Sequence, residues 1–296
     1  DPKVVAFYDA LDESGDDVSG ETTPYDDQGH GSHCAGISAG TGSIGEGPLS
    51  DGSTPYRGVA PGASLVGVKV LDSGGSGSFA EVMKGMEWTI DNKIKYNIRA
   101  ASMSLGGVWL VELTQAQEER VTQLANEMVA AGISLMIAAG NSGGYGTIGT
   151  PGAAKDVITV GSTEDSKELA VYSSKGPTHE GQIKPNVAAI GSAVMSVAAN
   201  TGNEYASYSG TSMATPMVAG MAVLLLQANP DLQPLMIRSI LESTAEYKFL
   251  SHPVRPNNDY GWGFVLMDAA LDEAIQYDAS ISINISSDTS VIFYEG

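Results

Sequence analysis

Apolar residues fall in short runs separated by stretches with helical spacing. Residues 64–71 (SLVGVKVL) are Val-rich and predict a buried strand. Residues 79–96 place Val82, Met83, Met86, Trp88 and Ile90 at helical spacing. Residues 99–105 (RAASMSL) read as strand again and 113–131 as helix. Two further strands are predicted over 133–139 (ISLMIAA) and 157–161 (VITVG), and a short first strand over 4–8. Helices are predicted over 211–227 and 233–245, the second opening just after Pro230 and Asp231, as start signals require. Strand followed by helix, repeated, predicts a mostly parallel α/β sheet with helices on both faces. The pattern changes at residue 277. Residues 277–296 alternate with period two and predict the opening of a further β-rich module after a main domain over 1–276. A tail packed on the main domain is the plainer alternative.

Composition narrows the function. The 36 glycines are scattered, which indicates tight turns rather than a linker. Lys and Arg total 15 against 35 Asp and Glu, a net charge of -20. That balance excludes nucleic-acid binding and disfavours anionic membranes. The longest apolar run, residues 217–226, falls short of the roughly 20 residues a membrane span needs. A single cysteine permits no internal disulfide and leaves the compartment open. The chain opens on Asp1, so any targeting segment is expected to be removed or upstream.

Three segments carry candidate chemistry. In Gly29-His30-Gly31-Ser32-His33-Cys34, a Gly-flanked His at a helix start reads as an exposed imidazole, although a lone His is more often a packed residue. In Ser209-Gly210-Thr211-Ser212-Met213, a Ser opens the most apolar helix. There a nucleophile would gain from the positive potential and free N–H groups of the helix N-terminus. Alone, that Ser would read as a helix cap. In Ala138-Ala139-Gly140-Asn141-Ser142, an Asn in a Gly-rich loop after an apolar strand can aim its amide at an oxyanion, or serve only as a turn residue. In a parallel α/β sheet, strand ends and helix starts gather along one edge, so the three segments can converge.

The order GHGSHCAG, SLGG, AAGNSGG, SGTSMATP resembles the subtilisin-like serine proteases, or subtilases, over residues 25–270. Val59-Ala60-Pro61-Gly62, Ser173-Ser174-Lys175-Gly176-Pro177 and Lys184-Pro185-Asn186-Val187 add to it, and HCAG is similar to the proteinase K branch. The resemblance implies a three-layer subtilisin-like fold and a serine endopeptidase using an acyl-enzyme mechanism. It makes Ser212 the nucleophile, His30 the general base, and Asn141 with the Ser212 backbone N–H the oxyanion hole. Ser104, Leu105, Gly106, Ala139 and Gly140 resemble the segments flanking the substrate side chain before the scissile bond. Gly149 matches the bottom of that pocket, with no charge evident nearby, and Phe79 an outer apolar pocket. Phe79 also reads as ordinary helix core. The implied partners are polypeptide substrates and the chain's own propeptide as inhibitor, in an extracellular setting. Structural calcium is a family habit, but no oxygen-ligand spacing in the acidic N-terminal loops names a site.

The sequence departs from the family in places. Met217 stands where His is usual, Asn186 replaces an Asp and Ile190 a Pro, the latter two in a predicted turn near the cleft. No Asp-Ser/Thr-Gly motif precedes His30. Asp9 ends a strand, but Ala10 and Leu11 follow it, so the strand bearing the triad acid is expected upstream of Asp1. Other readings are a catalytically silent subtilase-like scaffold, a Cys34 thiol as the working group, and a metal held by His30, His33 and Cys34.

Overall fold

The structure, a computed structural model, describes residues 3–11, 23–42, 56–107, 115–202, 204–247 and 253–277. The elements in chain order are β1 (Val4–Asp9), α1 (His30–Ala39), β2 (Leu65–Lys69), α2 (Phe79–Asn92), β3 (Ala100–Met103), α3 (Gln115–Ala130) and β4 (Ser134–Ala138). They continue with β5 (Ile158–Thr163), β6 (Val187–Ile190), β7 (Val194–Val197), β8 (Tyr205–Tyr208), α4 (Thr211–Ala228), α5 (Pro234–Ser243) and α6 (Met267–Gln276).

The main sheet runs β3-β4-β5-β6, parallel throughout, with Ala100 opposite Ser134, Met136 opposite Ile158 and Val160 opposite Val187. β4 shows why it is a three-layer fold. Met136 points into a cluster with Ala214, Val218 and Leu225 of α4 and Ile237 of α5. Its neighbours Leu135 and Ile137 point the other way, against Val82 and Met86 of α2 and Leu124 and Met128 of α3. A strand covered on both faces must be apolar at every position, and β4 is buried along its whole length. α4 is long and apolar enough to cross a membrane by composition, but 61% of it is buried inside the protein, where it forms the spine of the core.

β1 and β2 form a separate parallel pair, and β7 and β8 an antiparallel one. Among the described residues, each of β2 and β3 is paired along one edge only. Both strands line a cavity of about 1780 Å³, and all five residues of β2 are half-buried.

The parallel α/β layering matches the expectation from pattern. The helix predicted to reach residue 96 stops at Asn92. Asn97 adopts φ 52°, and the Ile98 N–H turns back to the Lys93 carbonyl, closing the helix before the apolar spacing ends. β6, the β7–β8 pair and α6 were not anticipated. Of the β-rich module predicted over 277–296, Tyr277 caps α6 and residues 278–296 lie outside the described residues.

Candidate active site

The site lies at the C-terminal edge of the sheet, where β3 and β4 end and α1 and α4 begin. α1 is capped from outside. The Asp26 carboxylate accepts the N–H groups of Gln28, Gly29 and Ser32, and Gln28 Oε1 accepts that of His30. Burial pushes the Asp26 carboxyl up, but the Gly29 and Ser32 donors outweigh it and hold it below its usual value. His30 therefore starts its helix half-buried, not fully exposed as its glycine neighbours suggested. Burial lowers its pKa, and the Asp26 charge opposes that shift. A neutral imidazole at neutral pH can accept a proton. The ring reaches Cys34, whose Sγ is 3.9 Å from Nε2.

Ser212 is the second residue of α4, where a helix leaves N–H groups without intrahelical partners. The flanking amides are taken: Thr211 N–H bonds Asn141 Oδ1 at 2.9 Å and Met213 N–H bonds Gly210 O at 3.0 Å. Pro216, four residues on, has no N–H for the Ser212 carbonyl. That carbonyl instead accepts the Ser104 hydroxyl at 2.8 Å and the Cys34 thiol at 3.3 Å. The nucleophile's backbone is thus tied to β3 and α1 by the bond the proline frees. Its own Oγ lies 3.4 Å from the Ser104 carbonyl.

Asn141 follows β4 through Gly140, where the φ of +108° and a would-be Cβ 2.8 Å from Ser174 Oγ both call for glycine. Thr211 fixes the Asn141 amide. Its N–H and hydroxyl both donate to Asn141 Oδ1, so Nδ2, the other half of the amide, is left to donate. Thr211 Oγ1 also accepts the Gly140 N–H at 3.2 Å. Its contribution was not read from sequence, although its place in Ser209-Gly210-Thr211 offered the signal.

His30, Asn141, Ser212, Ser104, Leu105, Gly106, Ala139, Gly140, Gly149 and Phe79 all line the one cavity. Gly107, beside that wall, bonds its N–H to Thr150 O, and a Cβ on it would lie 3.0 Å from the Phe79 ring. The sequence showed no charge near Gly149. The structure places one close by: the Thr150 hydroxyl donates to Glu118 Oε1 at 2.7 Å.

Other expectations change. Asp9 accepts the Tyr25 hydroxyl at 2.5 Å and the Leu11 N–H, and no hydrogen bond joins it to His30. Asn186 lies away from the cleft, buried between Thr159 N–H, Lys184 Nζ and Glu242. His33 is fully buried, stacked on Tyr208, with Nε2 against the Ala206 carbonyl, so it cannot join His30 and Cys34 around a metal. Burial pushes the Cys34 thiol up to about 11, which disfavours a working thiolate. Among the described residues no three His, Cys, Asp or Glu gather as metal ligands. Asp9, Asp26 and Asp27 spend their carboxylates on Tyr25, backbone N–H groups and Lys69, a poor fit to calcium.

The subtilase family matches residues 3–263. The chain is 40% identical to serine protease AprX of Bacillus subtilis (strain 168), over 77% of this chain and 55% of that protein. It is 39% identical to subtilisin E of the same organism, over 78% and 54%. It therefore spans about half the length of these relatives. A cold-adapted subtilisin-like serine proteinase superposes with TM-score 0.68 at 31% identity, covering 89% of this chain and 82% of that one. Sphericase does so with TM-score 0.67 at 29% identity, over 83% and 79%. With this fold, and with His30, Asn141 and Ser212 on one cavity, the chain belongs to the subtilase family of subtilisin-like serine proteases.

Proposed function

We propose that the protein is a serine endopeptidase. Ser212 Oγ attacks the peptide carbonyl while His30 takes its proton, and His30 then returns that proton to the leaving amine. Water hydrolyses the acyl-enzyme by the same route. The observation that carries this reading is the pair of donors at the start of α4. Asn141 has its oxygen held by Thr211 and its Nδ2 left to donate, beside the Ser212 N–H, which takes no bond among the described residues. Two such donors suit the oxyanion of a tetrahedral intermediate. A carboxylate on the far nitrogen of His30 is the third group of the mechanism.

Substrates are polypeptides laid extended along Ser104–Gly106, with a large apolar side chain before the scissile bond in the pocket ending at Gly149. The chain's propeptide is the matching inhibitor and the setting is extracellular. A silent scaffold is the second reading, favoured by one observation: the His30 ring faces Cys34, with no hydrogen bond to Ser212. A serine-directed phosphonylating reagent decides between them. The full-length protein should be labelled on Ser212 and lose hydrolysis, and Ser212→Ala should take no label. A full-length protein that binds peptide but takes no label and cleaves nothing is a scaffold.

A further inference from the structure

We infer that His33 is a positioning residue that fixes the general base relative to the nucleophile by clasping α1 to the β7–β8 hairpin. The inference rests on the endopeptidase reading of the site. The two reacting side chains stand on different elements. His30 opens α1, and Ser212 lies four residues beyond Tyr208, the end of β8. The two side chains share no hydrogen bond among the described residues. Their separation is therefore set by how the helix sits on the hairpin.

Hydrogen bonds reach α1 and its cap from each part of the hairpin. From the turn, Asn200 Nδ2 donates to the Asp26 carbonyl at 2.8 Å, just ahead of the helix. From β7, the Ser196 hydroxyl donates to the His33 carbonyl at 2.8 Å. On the β8 side, His33 Nε2 lies 3.0 Å from the Ala206 carbonyl. A carbonyl only accepts, so Nε2 carries the ring hydrogen. His33 thus holds both strands, and its ring stacks on Tyr208 with 4.3 Å between ring centroids. Gly36, one turn on, lets the helix come this close: a Cβ there would lie 2.3 Å from Ser196 Oγ and 2.3 Å from Val197 Cγ2. The path from β8 to Ser212 is held as well. Gly210 N–H bonds Gly191 O at 2.9 Å, and Ala193 N–H bonds Ser209 Oγ at 2.8 Å. A shift of α1 on the hairpin would then move His30 against a Ser212 that stays in place.

Packing alone does not account for a histidine here. His33 has 0% exposure, and its Nδ1 is buried with no hydrogen-bond partner among the described residues. A phenyl ring would fill the space without leaving a polar atom unsatisfied, so the N–H aimed at Ala206 is what the imidazole adds.

The test uses the active full-length protein and two opposite substitutions. His33→Phe keeps a ring against Tyr208 and loses the donor. His33→Gln loses the ring and keeps a donor at the reach of Nε2. His33→Phe should lower kcat by about 10- to 100-fold, the scale of a small misplacement of reacting groups, with KM unchanged. Labelling of Ser212 by the phosphonylating reagent should slow in parallel, and His33→Gln should recover most of both rates. Asn200→Gly removes the bond from the turn at an exposed residue whose φ of 61° glycine adopts freely. It should lower kcat by about two- to fivefold at constant KM, and it decides the matter if His33→Phe does not fold. An active parent whose kcat survives His33→Phe, or survives Asn200→Gly where the phenylalanine variant does not fold, overturns the positioning role. So does a loss that appears in KM, or a glutamine variant as slow as the phenylalanine one. A parent that takes no label and cleaves nothing overturns the endopeptidase reading, and this role with it.

Discussion

β4 and β2 are short parallel strands of similar apolar content, yet β4 is buried at all five positions and β2 is half-buried at all five. The difference lies in their neighbours. β4 has a strand on each side and a helix layer on each face, while β2, among the described residues, has one strand beside it and lines the cavity. The functional groups follow the same division. Asn141 and Ser212, at the ends of β4 and α4, are fixed by Thr211, Ser104 and Cys34. His30, on the cavity side, has its backbone capped by Gln28, while among the described residues its ring's hydrogen-bond contact is a thiol at 3.9 Å and the Asp26 charge acts on it from farther off. Order at the site is inherited from completeness of the sheet beneath it.

The largest effect expected from this division is in stability. Ile137→Ala in β4 removes a side chain with 0% exposure and should cost about 2–5 kcal/mol. Val68→Ala in β2, half-buried, should cost well under half of that. Urea unfolding of both variants checks the comparison. Equal losses would mean that the cavity side is as tightly built as the closed one.

Next in size is catalysis on the ordered side. Asn141→Ala should lower kcat by about 10²–10³, or roughly 2.7–4 kcal/mol, with little change in KM, because the donor acts on the oxyanion rather than on bound peptide. Steady-state kinetics on the active full-length protein measures this, and a loss confined to KM would assign Asn141 to substrate binding.

How far the sequence discloses this molecule follows the same boundary. The ISLMIAA run could be placed as a strand because burial on both faces demands an unbroken apolar stretch. The end of α2 could not be placed, because Ile94 continues the apolar spacing while lying 81% exposed in the closing turn. α6 escaped notice, although Ala270 and Ala274, both fully buried, keep the four-residue spacing of one helix face. His30, Asn141 and Ser212 were legible as motifs. What ties them was not, because the capture of the Ser212 carbonyl by Ser104 and Cys34 joins residues more than a hundred positions apart. Glu118 near Thr150 is equally a product of folding.

A smaller effect concerns pH. Lys184 is buried in the closed half, with Nζ bonded to Val157 O and Asn186 Oδ1, two neutral partners. Burial, then the Arg238 charge, lowers its pKa to about 7, while Glu242 and Asp156 oppose the shift. Between about 7 and its ordinary 10.5, the unfolded chain binds the proton that the folded chain has released. Stability from this group therefore rises with pH across that window and is lost as pH falls below it. The melting temperature of the protein relative to Lys184→Met should climb steadily from pH 7 to pH 10. A flat difference would show that Lys184 keeps its charge when folded.

The smallest effect tests the link between the two halves. Ser104 stands at the end of β3, on the cavity side, and donates to the Ser212 carbonyl on the ordered side. Pro216 removes the intrahelical donor, so the Cys34 thiol, a weak donor at 3.3 Å, is the other bond to that oxygen. Ser104→Ala should cost about 1 kcal/mol of positioning, a five- to tenfold fall in kcat. Substrate contact through the neighbouring backbone remains, so KM should hold. Replacing Pro216 with Ala in the Ser104→Ala background supplies an N–H from within α4. If the bond to the carbonyl is what matters, that second change restores part of the lost kcat. If Ser104 acts instead by touching substrate, KM rises with the first substitution and the second restores nothing.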